Sequence, residues 1–162
     1  MNKKIAIIGG GNLGTAIAEG LINSGFVLPE ALIVTKRNIE TLKPLAERGV
    51  NISDNNLAAV KNASWIILAI KPFQVKEVLA LIQPELDPSK HCLISVVTGV
   101  WVKDIQEIVG MDFPIFRAMP NTAIAIQESM TCICSVNASI EQTSFVSELF
   151  NQLGKSVLIE EK

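Results

Sequence analysis

Residues 4–25 hold an apolar run, a glycine-rich turn and a second apolar stretch with the spacing of an amphipathic helix. Gly9, Gly11 and Gly14 within the turn fit the pattern G-x-G-x-x-G. In a dinucleotide-binding fold the first glycine permits the tight turn, the second lets the backbone approach a pyrophosphate, and the third lets the helix pack closely on the strand. Because the pattern follows an apolar strand and opens a helix whose positive end would face the phosphates, it predicts dinucleotide binding rather than an ordinary turn.

The composition favours one domain built around a buried sheet. The 162 residues suffice for one well-buried domain, and 49% of them are hydrophobic, which suits a parallel sheet covered on both faces. The net charge is −2 and only 5% of the residues are aromatic, so nothing indicates a nucleic-acid partner or an anionic membrane surface. The apolar run before Gly9 is too short for a signal peptide, and no stretch of about 18 apolar residues indicates a membrane span.

Apolar runs alternate with segments of helical spacing along most of the chain. Strands are predicted at residues 4–8, 31–34, 50–52, 64–70, 91–97 and 113–118. The later helices are predicted at 39–48, 73–82 and 101–109, with a short helix that is capped by one of residues 53–56 and runs to 62. The alternation predicts an α/β fold of the Rossmann type, a doubly wound and mostly parallel sheet in three α/β/α layers. A strand at 130–135, a helix at 140–153 and a strand at 155–160 add extra strands at the carboxyl-terminal end, so residues 1–162 form a single dinucleotide-binding domain.

Doubly wound sheets bind their ligands beyond the carboxyl ends of the strands. The segments that would meet at this edge are residues 9–13, 36–37, 71–72, 98–99 and 119–122. After the second strand, where an NAD-binding fold commonly has an acidic residue on the ribose, the chain has Lys36 and Arg37. Arginine binds phosphate with a fork of donors, so this pair favours NADP over NAD; a solvated basic turn is the alternative.

The cysteines and the single histidine do not indicate a metal or catalytic site. Cys132 and Cys134 fall on one face of a strand but have no partners at metal-ligand spacing, so we expect small packing residues and no metal. With Cys92 they form an odd set without a secreted disulfide pattern, which favours a reducing cytoplasm. His91 begins its strand at the end opposite the cofactor edge, so we expect a surface residue rather than a base, and we expect Trp65 to pack in the core.

Four segments of the chain resemble pyrroline-5-carboxylate reductase. They are R-A-M-P-N-T at residues 117–122, I-G-G-G-N-L at 8–13, L-A-I-K-P at 68–72 and V-T-G-V at 97–100. The first is the most specific, since many dehydrogenases share the glycine pattern. The resemblance runs from residue 4 to about 160, and it implies NADPH-dependent reduction of 1-pyrroline-5-carboxylate, a small cyclic imine, to proline.

The resemblance also implies where the cofactor would lie. It puts residues 8–13 on the pyrophosphate, Arg37 on the side of the 2′-phosphate, residues 69–72 beside the nicotinamide ribose and 97–99 next to them. With Lys36 added from its position after the second strand, the predicted cofactor-binding residues are Ile8, Gly9, Gly10, Gly11, Asn12, Leu13, Lys36, Arg37, Asn56, Ala69, Ile70, Lys71, Pro72, Val97, Thr98 and Gly99.

Asn121 and Thr122 are the candidates on the substrate side. They could donate hydrogen bonds to the substrate carboxylate or the nicotinamide carboxamide, or cap the next helix, and the sequence leaves both roles open. No proton donor is assigned, because a cationic imine needs little proton donation before hydride arrives.

The chain departs from the family in two respects. It has Ala123 where the family often has proline, and Gln127 and Ser129 where the family has glycines in the next turn. The family also continues past a strand like residues 157–160 into a helical domain, which forms the dimer and supplies much of the imine site, whereas this chain stops at residue 162. We therefore expect the chain to bind cofactor, to turn over poorly or not at all, and to form a homo-oligomer only together with that domain.

Two other functions fit parts of the sequence. Another NADP-dependent reductase with the same amino-terminal domain, such as an F420-dependent NADP reductase or a 3-hydroxyacid dehydrogenase, is the nearer one, and residues 119–122 argue against it. A stand-alone nucleotide-binding or interaction module is the other.

Overall fold

The apolar runs form the strands of one sheet in a computed structural model that describes residues 3–161. The strands are β1 (Ile5–Ile8), β2 (Leu32–Thr35), β3 (Asn51–Ser53), β4 (Trp65–Leu68), β5 (Cys92–Ser95), β6 (Ile115–Met119), β7 (Ser129–Val136) and β8 (Gly154–Leu158). They lie in the order β3-β2-β1-β4-β5-β6-β7-β8. The strands from β1 to β6 are mutually parallel, β7 is antiparallel to β6, and β8 is parallel to β7.

Within residues 3–161, six α-helices cover the two faces of the sheet. They are α1 (Asn12–Asn23), α2 (Lys43–Glu47), α3 (Asn56–Lys61), α4 (Val75–Ile82), α5 (Val102–Val109) and α6 (Ile140–Asn151). Buried side chains of α1, α2 and α6 form one apolar cluster, and those of α3, α4 and α5 form a second one on the opposite face. The predicted Rossmann-type, three-layer fold with extra carboxyl-terminal strands is confirmed.

Alternation along the strands supplies both clusters. In β1, Ile5 and Ile7 belong to the first cluster, whereas Ala6 and Ile8 belong to the second, as expected for a strand with a period of two between covered faces. No helix within residues 3–161 has the length and apolar character needed to span a membrane. The ends of the predicted domain, residues 1, 2 and 162, lie outside the described residues.

Two predicted helices begin differently from the expectation. The segment predicted as a helix at 39–48 starts as a 3₁₀ turn, Ile39–Leu42, and continues as the short α2. The segment at 73–82 starts as the 3₁₀ turn Pro72–Gln74 before α4. A proline occupies the first or second position of α2 and of the 3₁₀ turn Pro72–Gln74. Proline is tolerated at these positions because the N–H that it lacks would be unpaired there in any case.

His91 corrects one expectation. It precedes β5, at the end opposite the carboxyl edge as predicted, but it is only 5% exposed and is therefore not a surface residue. Its Nδ1 accepts a hydrogen bond from the backbone N–H of Asp87 at 3.0 Å. Burial disfavours the imidazolium and lowers the pKa of His91. The neutral ring therefore ties the loop before β5 in place.

Candidate dinucleotide-binding site

The six parallel strands bring the predicted cofactor segments to one edge of the sheet. Because β1, β2, β3, β4, β5 and β6 run in the same direction, the residues that follow them gather beyond their carboxyl ends. Connections leave β1 and β4 toward opposite faces, so these neighbours flank the topological switch point, where open α/β sheets bind ligands.

The fold itself requires Gly9 and Gly14. Gly9 has φ +108°, and a Cβ there would lie 2.4 Å from the carbonyl oxygen of Ala69, which follows β4. A Cβ on Gly14 would lie 2.0 Å from the carbonyl oxygen of Gly9. These two glycines therefore permit the turn after β1 and the close packing of α1 that their spacing predicts.

Gly11 differs, because nothing in the described chain requires a glycine there. The residue is exposed, its φ is −78°, and a Cβ would meet no described atom within 4 Å. A glycine with open space above it at this position suits a ligand whose atoms approach the backbone closely. The turn therefore fits a pyrophosphate group.

The amino terminus of α1 is suited to an anion. Gly11 is the N-cap residue, and no described side chain makes a capping hydrogen bond there. The first turn of α1 contains no acidic residue. The Thr15 hydroxyl instead donates to the carbonyl oxygen of Gly10 at 3.2 Å, which closes the turn. The positive end of a twelve-residue helix thus lies directly behind the glycine turn.

The end of β2 packs against this turn and carries the two basic residues. The Thr35 carbonyl oxygen accepts hydrogen bonds from the N–H groups of Gly9, at 3.2 Å, and Gly10, at 2.7 Å. Lys36 is half-buried, and its N–H donates to the Ser53 carbonyl oxygen at 3.1 Å, whereas Arg37 is exposed. The contact between β2 and the glycine turn puts Arg37 on the side of the site where the adenosine ribose of a dinucleotide lies.

The remaining cofactor candidates follow β3, β4 and β5. Asn56 is the first residue of α3 and is half-buried, while its neighbour Asn55 caps the helix by accepting the Ala58 N–H at 3.0 Å. Ala69 and Ile70 are half-buried beside Gly9, and Lys71 and Pro72 are exposed. Val97 is buried, whereas Thr98 and Gly99 are exposed in the loop before α5. All of these segments lie at the predicted edge.

Asn121 has the capping role that the sequence left open. Its side-chain oxygen accepts the Ala123 N–H at 3.1 Å, at the start of the 3₁₀ turn Thr122–Ile126. Its backbone N–H donates to the Ser129 hydroxyl at 3.2 Å. Ser129, where the resembled family has a glycine, is thus a buried support for this loop. Asn121 and Thr122 are both exposed at the carboxyl edge.

Sequence reasoning missed a buried ion pair beside this edge. Arg117 Nη1 lies 2.8 Å from Glu161 Oε1, with 11% and 21% of the respective side chains exposed. An arginine inside the otherwise apolar β6 signals the need for a counter-charge. The sequence does not reveal which of the 16 acidic residues supplies it.

Two of the three cysteines are buried packing groups, and Cys132 is half-buried. Cys92 and Cys134 are buried, and burial raises the pKa of Cys92 to about 12 and also raises that of Cys134, where the Glu161 carboxylate adds to the effect. Both thiols are therefore protonated at neutral pH. Within residues 3–161, no group of three or more histidine, cysteine or acidic residues is arranged to hold a metal ion.

Comparisons with known proteins agree with this geometry. A family model described as NADP oxidoreductase, coenzyme F420-dependent, matches residues 4–99. Pyrroline-5-carboxylate reductase 1 of Dictyostelium discoideum is 35% identical over 170 residues, which cover 98% of this chain and 31% of that protein. The structure of a pyrroline-5-carboxylate reductase from Coxiella burnetii matches with a TM-score of 0.93 at 28% identity, covering 98% of this chain and 59% of that one. The Plasmodium falciparum pyrroline carboxylate reductase with NADP bound matches with a TM-score of 0.85 at 28% identity, covering 98% and 58%.

These proteins confirm the resemblance predicted from residues 117–122, and they are longer than the chain, which spans 31% to 59% of them. The family model extends over more than half of the 162 residues. The chain therefore belongs to the family described as NADP oxidoreductase, coenzyme F420-dependent.

Proposed function

We propose that this chain is the NADPH-binding domain of a pyrroline-5-carboxylate reductase, which reduces 1-pyrroline-5-carboxylate to proline. The observation that carries the cofactor part is Gly11, exposed at the uncapped amino terminus of α1 with open space where a side chain would be. Relatives and solved structures bearing that enzyme name match along 98% of the chain, which supports the reaction.

Arg37 favours NADPH over NADH as the cofactor. The residue is exposed after β2, and residues 35–38 contain no carboxylate that would bind a ribose 2′-hydroxyl and repel a 2′-phosphate. A guanidinium can bind the 2′-phosphate through two hydrogen bonds. Lys36 adds a second positive charge to the same turn.

The chain's residues would bind and orient the reactants. Residues 8–13 would hold the pyrophosphate, 69–72 and 97–99 would enclose the nicotinamide ribose, and Asn56 would contact the cofactor. The bound nicotinamide supplies a hydride to the imine carbon. Asn121 and Thr122 would orient the substrate carboxylate or the nicotinamide carboxamide. The cap formed by Asn121 uses only its side-chain oxygen, so its side-chain NH₂ group can donate to the ligand.

The nearest alternative is another NADP-dependent reductase. The family model ends at residue 99, before residues 119–122, so its match is compatible with both functions. The match to the Dictyostelium reductase covers 98% of the chain and so extends through that segment, which favours the imine reductase.

In the resembled family a helical domain forms the dimer and supplies much of the imine site, and we propose that activity needs this domain. The chain alone would bind cofactor and turn over slowly. We also propose a cytoplasmic location, which the three free thiols support.

Fluorescence titration with NADPH and, separately, NADH tests the proposal. We expect tighter binding of NADPH, and we expect Arg37→Ala to bind NADPH only as well as NADH. Arg48→Ala is the matched control, because Arg48 is exposed at the end of α2 and donates to Asn23 instead of lying at the cofactor edge. Equal binding of the two nucleotides by the unaltered chain would remove the 2′-phosphate role from Arg37. Binding of neither nucleotide would contradict the proposed function and favour a stand-alone interaction module.

A further inference from the structure

Helix α5 draws part of its amino-terminal cap from a remote segment of the chain. Trp101 occupies the N-cap position; its backbone N–H donates to the Asp104 carboxylate at 3.1 Å, but its own side chain makes no capping hydrogen bond in the described chain. The first N–H groups of a helix need partners from elsewhere. The N–H of Val102 donates to both carboxylate oxygens of Glu161, each at 3.2 Å, although the two residues are 59 positions apart. A residue beyond β8 therefore caps α5.

Arg117 holds this remote cap in place. Its guanidinium lies 2.8 Å from the Glu161 carboxylate and 4.8 Å from the centroid of the Trp101 ring. The Nε atom of Arg117 is buried and has no hydrogen-bond partner among residues 3–161. The ion pair and the aromatic contact therefore hold the guanidinium of Arg117 in place, although one of its nitrogen atoms has no hydrogen-bond partner among the described residues.

The cluster joins three segments that lie far apart in sequence. Arg117 pairs with Ser95 across β5 and β6, and it lies two positions before Met119 at the carboxyl edge. Trp101 follows Thr98 and Gly99 in the loop between β5 and α5. That loop is anchored at one end by the paired strand β5 and at the other by the first turn of α5. Holding the start of α5 therefore determines where the loop lies.

We propose that Arg117 and Glu161 are positioning residues that hold the loop at 97–99 in place for the nicotinamide half of the cofactor. The inference rests on the proposed function, because it assigns that loop to the nicotinamide side. The negative carboxylate of Glu161 also lies at the positive end of α5 and stabilises it. Loss of this charge therefore weakens the first turn electrostatically as well as through the lost hydrogen bonds.

The test compares a whole cofactor with its adenosine half. NADPH and adenosine 2′,5′-bisphosphate are titrated against the unaltered chain, Arg117→Met and Glu161→Gln, with Glu160→Gln as the control at an exposed neighbour. We expect Arg117→Met and Glu161→Gln to bind NADPH roughly threefold to tenfold more weakly while binding of the bisphosphate is unchanged. Near-ultraviolet circular dichroism monitors folding, and the conservative Glu161→Gln retains the size of the side chain.

The outcomes separate the two proposals. If both variants bind NADPH as tightly as the unaltered chain, the positioning role is overturned while the proposed function stands. Equal weakening for NADPH and the bisphosphate would also overturn it, because a general loss of structure affects both halves of the site. If the unaltered chain binds neither nucleotide, the proposed function fails, and this inference fails with it.

Discussion

Gly11 and Gly14 belong to the same motif but have different surroundings in the fold. Gly14 is required by the protein's own backbone, since a Cβ would lie 2.0 Å from the Gly9 carbonyl oxygen. Gly11 faces open space among the described residues, so the fold does not require a glycine there, and the proposed pyrophosphate contact is the reason we assign to it. The spacing of the motif predicts both positions, but only the structure shows which of them the fold requires.

Alanine at each of these glycines should therefore have a different effect. We expect Gly14→Ala to lower the free energy of unfolding by about 1–3 kcal/mol, because the added methyl group overpacks rigid backbone. Gly11→Ala should fold normally and bind NADPH roughly tenfold more weakly, equivalent to about 1.4 kcal/mol. Urea unfolding and NADPH titration of both variants measure this, and unchanged NADPH binding by Gly11→Ala would contradict the phosphate role.

His91 should make stability depend on pH near neutrality. Burial lowers the pKa of His91 in the folded protein, partly offset by the Val60 carbonyl and by the Asp87 and Glu85 charges, while Lys90 lowers it further. The unfolded chain then binds more protons, so the contribution is fully present above about pH 6.5 and is lost as pH falls from there toward the folded pKa.

Urea midpoints between pH 7.5 and 5 measure this loss. The change of the urea midpoint with pH should be smaller in His91→Gln, because glutamine does not protonate in this pH range. The hydrogen bonds that Ser89 donates to Asp87 lower the pKa of that carboxyl, so its contribution is lost only in a more acidic window. An identical slope in the unaltered protein and His91→Gln would rule out His91 as the source.

At the level of elements, the ends of apolar runs were harder to predict than their centres. The run at 64–70 predicts one long strand, but β4 ends at Leu68. Ala69 and Ile70 are instead half-buried in the loop after β4, where the Ala69 carbonyl and the Ile70 side chain lie against Gly9. The apolar side chain of Ile70 thus serves this loop contact and not a strand. Periodicity does not distinguish these two kinds of burial, because both select apolar side chains.

Helix α6 carries a reciprocal cap that should contribute measurably to stability. The Ser139 hydroxyl accepts the Gln142 N–H at 3.0 Å, and the Gln142 side chain accepts the Ser139 N–H at 2.9 Å. We expect Ser139→Ala to lower the free energy of unfolding by about 1 kcal/mol. Urea denaturation measures the change, and Ser135→Ala, at an exposed position of β7, is the control, which should change stability by less than about 0.5 kcal/mol. Equal stability of Ser139→Ala and the unaltered protein would show that the cap contributes nothing.

At the level of the whole molecule, topology made it predictable that the candidate segments gather at one edge of the sheet. Strands in the order β3-β2-β1-β4-β5-β6 bring all their carboxyl ends to one edge, so motifs separated by more than a hundred residues converge without any long-range sequence signal. The ion pair between Arg117 and Glu161 was not predictable in this way. It depends on where the chain passes after β8, which no local pattern encodes.

The stack of Trp65 on Phe145 joins two parts of the chain that the family model separates. The model matches residues 4–99, yet the ring centroid of Trp65 within that range lies 3.9 Å from that of Phe145 on α6. The same core also takes Val146, Leu149 and Phe150 from that helix. A segment ending at residue 99 would thus carry the glycine motif without the part of the core that α6 supplies.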